Sequence, residues 1–120
     1  MMDKHDLRTR TKTLALRIIR LYTALPKTVE AQIMGKQVLR SGTSVGAHYR
    51  EASRARSSAE FVSKIETALQ ELDETDYWLE LLADSEIVPN PRLTDLRGEI
   101  DQLIAIFVAS VKTAKKNNQK

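Results

Sequence analysis

Apolar residues recur along this chain at alternating steps of four and three. Leu7, Thr11, Leu14, Ile18, Leu21 and Leu25 form the first such series. The spacing places all six on one stripe of an α-helix, while Arg8, Lys12 and Arg20 fall elsewhere. Pro26 closes the segment, because the residue before a proline avoids helical geometry. A second clear series is Phe61, Ile65, Ala68, Leu72, Thr75, Leu79 and Leu82. Ser57 followed by Glu60 marks its start as a capping box, in which each side chain satisfies the other residue's free N–H. A third series is Leu93, Leu96, Ile100, Leu103, Phe107 and Val111. Asn90-Pro91 opens it, a side-chain cap followed by a proline whose missing N–H costs nothing at the first position. The tail KTAKKNNQK loses the periodicity, and fraying is expected there.

The stretch with Ile33, Val38, Val45 and Tyr49 is less regular, because Gly35, Gly42 and Gly46 interrupt it. Each glycine costs a helix about 1 kcal/mol relative to Ala. A break at SGTSVG would give two short helices, whereas the competing picture is one helix from about Thr28 to Ala52. The unbroken helix is preferred. Gly42 and Gly46 lie four apart on one face, and a strip without side chains lets a neighbouring helix pack unusually close. The expectation is therefore all-α: a single domain, an up-down-up-down four-helix bundle, with helices over about 4–25, 28–52, 57–83 and 91–115. The links are short, and no segment alternates with period two.

Length and composition narrow the class without naming a role. The 120 residues suit one domain with a modest core. With no Cys, disulfides, thiolate metal sites and a Cys nucleophile are excluded, which fits a reducing cytoplasm. No apolar run reaches the roughly 20 residues needed to span a bilayer. The opening MMDKHDLRTRTK has no apolar core of the secretory type, so a cytoplasmic location is expected.

Charge changes the picture more. Residues 1–26 carry six Lys/Arg against two Asp, and residues 27–56 six against two acids. Residues 57–86 carry Lys64 against nine acids, and residues 87–120 six basic against three acidic. One segment of net −8 thus stands among segments of +4, +4 and +3. Such asymmetry suits a polyanion, or pairing of segments within the fold or between subunits.

The candidate chemistry is sparse. SGTSVG lacks the G-x-x-x-x-G-K-[ST] order of a phosphate loop, and no strand precedes it. Ser44, His48 and Glu51 have the spacing of a nucleophile, base and orienting acid on one helix. A Ser on a regular helix is not presented on a strained elbow, however, and helix amides are already bonded, so no oxyanion hole is available. His5 and His48 are the only histidines, and neither has a Glu three residues before it as a bundle di-metal site requires, so no metal, cofactor or catalysis is expected. Among Glu66, Asp73, Glu74, Asp76 and Glu80, some carboxylates are expected to pair with Arg40, Arg50 or Arg54. Arg8, Arg10, Lys12, Arg17 and Arg20, with Arg50, Arg54 and Arg56, form the candidate nucleic-acid surface, since phosphate contact needs positive charge and no base-reading motif. Solvated Arg and Lys on a helix exterior have the same appearance in sequence. Leu16, Ile19, Val62, Leu69, Trp78 and Leu81 supply apolar surface beyond a four-helix seam and point to a homo-oligomer.

The stretch GTSVGAHYREASRARSSAEFVSKIETALQELDETDYWLELL resembles the signature of the small four-helix-bundle proteins first noticed as reading frames inside intervening sequences of bacterial 23S ribosomal RNA genes. The likeness runs back through VLRSGTSVG into the first helix and forward into the weaker fourth. A similar bundle serves as the accessory protein of diversity-generating retroelements. The resemblance implies a closed, left-turning bundle that assembles into a ring, typically a homopentamer, without catalysis. Among the retroelement relatives a basic ring binds nucleic acid and a reverse transcriptase, so RNA or DNA and a protein partner are both implied. The resemblance also places the glycine-containing signature inside a helix. His48 stands where the family commonly carries Asn, so a titratable ring replaces an uncharged amide.

Overall fold

The computed structural model describes residues 4–118, with side chains described over 6–117. The described chain forms four helices and no strand: α1 (Lys4–Ala24), α2 (Val29–Ser53), α3 (Ser58–Asp84) and α4 (Asn90–Asn118). Their facing residues fix the register. Along α2, Gly46 and Gly42 meet Thr11 and Ile18 of α1, and Gly35 meets Leu25 just past its end, so the two helices run antiparallel. Ser41 of α2 meets Thr75 of α3, and Glu51 meets Lys64. Asp76 of α3 meets Arg97 of α4, and Glu66 meets Lys115. Each step reverses direction, which gives an up-down-up-down bundle 52 × 22 × 21 Å in extent.

The periodic residues form the core. Leu14, Ile18, Val38, Val45, Leu72, Leu79, Ile100, Leu103 and Phe107 are fully enclosed, and Phe107 stacks on Tyr49 with ring centroids 5.8 Å apart. Three buried hydroxyls interrupt this apolar interior, each with an acceptor. Thr11 donates to the Leu7 carbonyl at 2.9 Å. Thr75 Oγ1 lies 2.7 Å from the Glu71 carbonyl and 2.8 Å from Ser41 Oγ, bridging α2 and α3. A hydroxyl bonded back to its own helix avoids most of the cost of burying a polar group.

The second helix runs unbroken through SGTSVG. A Cβ on Gly42 would lie 2.8 Å from Ile18 Cγ1, and one on Gly46 would lie 3.3 Å from Thr11 Oγ1 and 3.7 Å from the Thr11 backbone carbon. Close approach of α1 is therefore the physical reason for both glycines. Gly35, left out of the expected packing strip, belongs to it as well, since its Cβ would lie 2.6 Å from Leu25 Cδ1. Its seven-residue spacing from Gly42 was the available signal.

Three local expectations need correction. Ser57 accepts from the Glu60 N–H at 3.1 Å, but Glu60 reaches back to the Arg56 N–H at 3.2 Å, so the capping box is not reciprocal. Asn90 is itself the first helical residue and its side chain makes no hydrogen bond among the described residues, while Arg92 N bonds the Pro89 carbonyl at 3.0 Å. Among the described residues, the helix outlasts the periodicity at its C-terminal end. Helix α4 continues to Asn118, because Lys and Ala propagate a helix well and Lys115 and Lys116 sit favourably at its negative end.

Closure of the bundle is uneven. Helices α1 and α4 approach each other far less closely than the other three neighbouring pairs. Near its middle the seam is held by Arg10, which donates to Glu99 through Nε (2.9 Å) and Nη2 (2.6 Å) and to Gln102 (3.0 Å). Towards the α1 C-terminus it opens into a cleft.

Candidate nucleic-acid interface

The eight basic candidates divide into three groups. Arg8 and Lys12, one turn apart on α1, face a groove of about 570 Å³ that Arg50 of α2 closes from the other side. A second, smaller groove of about 290 Å³ adjoins it and shares Lys12 and Arg50. Where α1 settles against Gly46, the outer flank of the helix pair carries only small residues, Ala15, Thr43 and Ala47, between Lys12 and Arg50. None of Arg8, Lys12 and Arg50 has a partner carboxylate among the described residues. Arg54 and Arg56, both exposed, continue this charge into the α2–α3 link.

The second group is Arg10 alone. Its bidentate contact with Glu99 joins two side chains only 18% and 22% exposed, and Asp6 adds an ion pair at 3.9 Å. The hydrogen bond to Glu99 raises the Arg10 pKa further above its ordinary value. Arg10 is thus a fastener of the α1–α4 seam, turned away from the groove. Arg17 and Arg20 form the third group with Arg92 of α4, at the mouth of the α1–α4 cleft.

The acidic third helix is partly neutralised internally, and the expected pairing with α2 is present at Arg40. Arg40 binds Glu74 at 2.6 Å and Glu71 at 3.1 Å, which raises the arginine pKa and holds the Glu74 carboxyl below the usual range. Arg50 and Arg54 take no part. Arg97, absent from the expected set, grips Asp76 through Nε (2.8 Å) and Nη2 (3.3 Å), and the hydrogen bond raises its pKa. The signal lay in register. Arg97 and Arg10 find their carboxylates only after the core stripes have set which helix lies beside which.

The Ser44, His48 and Glu51 trio shows no catalytic linkage. Ser44 donates to the Arg40 carbonyl at 2.7 Å. His48 Nδ1 lies 3.3 Å from Glu51, whose carboxyl is held low chiefly by its hydrogen bond with Lys64 and is shared with that residue. His5 lies outside the residues whose side chains are described. No group of three or more potential metal ligands occurs among the described residues. Among the described residues, no helix is long and apolar enough to cross a membrane.

The family model described as 23S rRNA-intervening sequence protein matches residues 3–109. The chain belongs to this family. Among solved structures it is similar to a protein of unknown function from the S23 ribosomal protein family of Bacteroides thetaiotaomicron, with 35% identity and a TM-score of 0.86. That likeness covers 92% of this chain and 99% of the other. No curated protein matches it in sequence. Nothing in these relationships points to enzymatic activity, and the four-helix architecture is common to this chain and its solved neighbour.

Proposed function

We propose that this chain is a non-enzymatic, ring-forming helical bundle, a cytoplasmic homopentamer by its family resemblance, that binds the phosphate backbone of RNA or DNA. The observation that carries this reading is the convergence of Arg8, Lys12 and Arg50 on one groove with no described carboxylate to compensate them. Arg54 and Arg56 extend the contact. The chemistry is charge neutralisation without base reading, because no row of aromatic residues flanks the groove for bases to stack on. No cofactor enters.

Binding of this kind releases about 0.9 condensed cations per phosphate neutralised on duplex DNA. Filter binding to structured RNA and to duplex DNA across a salt series is the test. The expected result is an affinity that falls linearly on a log–log plot, with a slope reduced by about 2–3 per protomer in Arg8→Gln/Lys12→Gln/Arg50→Gln. Binding that is absent at low salt, or indifferent to salt, removes the proposal.

A protein–protein scaffold without nucleic-acid binding is the second reading, favoured by the apolar cleft between α1 and α4. Neutralising Arg50 and Arg54 separates the two. Neither arginine lines the cleft, so unchanged nucleic-acid retention and an intact oligomer support the scaffold, whereas an intact ring that no longer binds nucleic acid supports the first reading.

A further inference from the structure

The α1–α4 cleft has a chemistry different from that of the groove. Its volume is about 430 Å³, and its surface between the charges is apolar, formed by Leu21, Ala24, Pro26 and Ile87 over the buried Leu25, Val88 and Leu93. Three guanidiniums, those of Arg17, Arg20 and Arg92, stand at its edge, and no carboxylate lines it. None of the three has a partner among the described residues. A sugar-phosphate backbone would satisfy the arginines but would leave the accessible apolar surface of Leu21, Ala24, Pro26 and Ile87 wet. The fitting occupant has an apolar centre and carboxylates around it.

The same chain displays such a surface. On α3, Asp73, Tyr77, Glu80 and Asp84 follow at steps of four, three and four, which sets them on one stripe about 16 Å long. All four are exposed. Tyr77 is 52% exposed despite its size and is braced edge-on against Trp78 at 5.2 Å. Only Glu80 has a further tie, a 3.9 Å contact to Arg97. Three carboxylates around an aromatic ring thus match three guanidiniums around an apolar floor.

We infer that the α1–α4 cleft receives the acidic, tyrosine-centred outer stripe of α3 from a second copy of this chain. This rests on reading the chain as an oligomer and adds which surfaces meet. The two surfaces differ, so the contact is heterologous: each copy offers its cleft to one neighbour and its stripe to the other. Such a contact either closes into a ring or runs on as a filament. Tyr77 supplies the buried anchor, and the charge pairs set orientation and partner choice.

The test is native mass spectrometry of full-length protein. A cleft variant, Arg17→Glu/Arg20→Glu/Arg92→Glu, and a stripe variant, Asp73→Lys/Tyr77→Ala/Asp84→Lys, remove no ion pair within the fold. Wild type is expected at a multiple of 13.6 kDa and each variant at 13.6 kDa with unchanged helicity. Mixing the two is expected to give a 1:1 complex of about 27 kDa, twice the 13.6 kDa chain and no larger, since one intact cleft meets one intact stripe. Should the cleft variant lose helicity, Arg20→Gln/Arg92→Gln replaces it and is expected to weaken assembly at least tenfold. Variants that keep the wild-type mass, or a mixture that stays monomeric, overturn the inference and leave the oligomer reading standing. A cleft variant that keeps its mass but loses RNA binding also overturns it, because the cleft is then a nucleic-acid surface. A monomeric wild type overturns both together.

Discussion

Four glycines in one chain carry opposite consequences, decided by what an added methyl would meet. At Gly42 the methyl would press on three atoms of Ile18, the nearest 2.8 Å away, in a fully buried position. Ile18 is β-branched and stiff, so it cannot yield cheaply. Gly42→Ala is expected to lower stability by about 1–3 kcal/mol in urea unfolding, despite the better helix propensity of Ala. At Gly98, in the middle of α4, nothing lies within 4 Å of the added methyl. Gly98→Ala is expected to raise stability by about 1 kcal/mol, because only propensity and unfolded-chain entropy act. Equal effects at the two sites would show that α1 does not approach α2 as described. A third residue stores strain. Glu86 has φ of 62°, the left-handed conformation that closes α3 while Ile87 and Val88 turn back to the Leu82 carbonyl. A side chain pays for this conformation and glycine does not, so Glu86→Gly is expected to stabilise by about 0.5–1 kcal/mol. Thermal melts compared with wild type check it, and a lower Tm would contradict it.

Between elements, the seams differ in how far the sequence revealed them. The apolar stripes of α1, α3 and α4 were legible because a period near 3.6 survives any choice of neighbour. The continuity of α2 was legible from Gly42 and Gly46 together with the resemblance, since local propensity alone argues for a break. Charge pairing was not legible in the same way. The excess of acid in α3 is visible, yet whether Asp76 meets Arg97 or Arg50 depends on the order of helices around the bundle and on their relative height. The same uncertainty merged Arg10 with Arg8 and Lys12, although these residues face different seams. The Arg40–Glu74 pair makes the α2–α3 seam sensitive to acid. Glu74 is held below its ordinary pKa in the folded chain, chiefly by Arg40. Its stabilising effect is present above the unfolded value near 4.3 and is lost as pH falls through the lower folded value. Both side chains are substantially exposed, at 51% and 33%, so the effect is expected to be under about 1 kcal/mol. Melts of wild type and Glu74→Gln between pH 7 and pH 3 should show a gap that narrows with acidification, and a gap that widens would reverse the assignment.

At the scale of the whole molecule, the uneven closure of the bundle makes α1 the element most easily released. It packs closely on α2 alone, and its link to α4 depends on Arg10 with Glu99 and Gln102. Opening free energies within one protein range from near zero to the global value, in units that follow such contacts. Native-state hydrogen exchange on dilute protein is therefore expected to show α1 amides exchanging through a partial opening, with α2 and α3 protected to the level of global unfolding. Arg10→Ala should accelerate α1 by about five- to tenfold, the size expected from losing one partly exposed bidentate pair of about 1 kcal/mol, and leave α3 unchanged. Covering the cleft with a neighbouring copy would add contacts to α1 and α4 at once and slow that opening. Exchange in α1 should then fall as protein concentration rises, while α2 and α3, already at the global limit, respond only through overall stability. Exchange rates that are uniform over all four helices and independent of concentration would mean that the α1–α4 seam is as firm as the rest, and that no partner is needed to complete it.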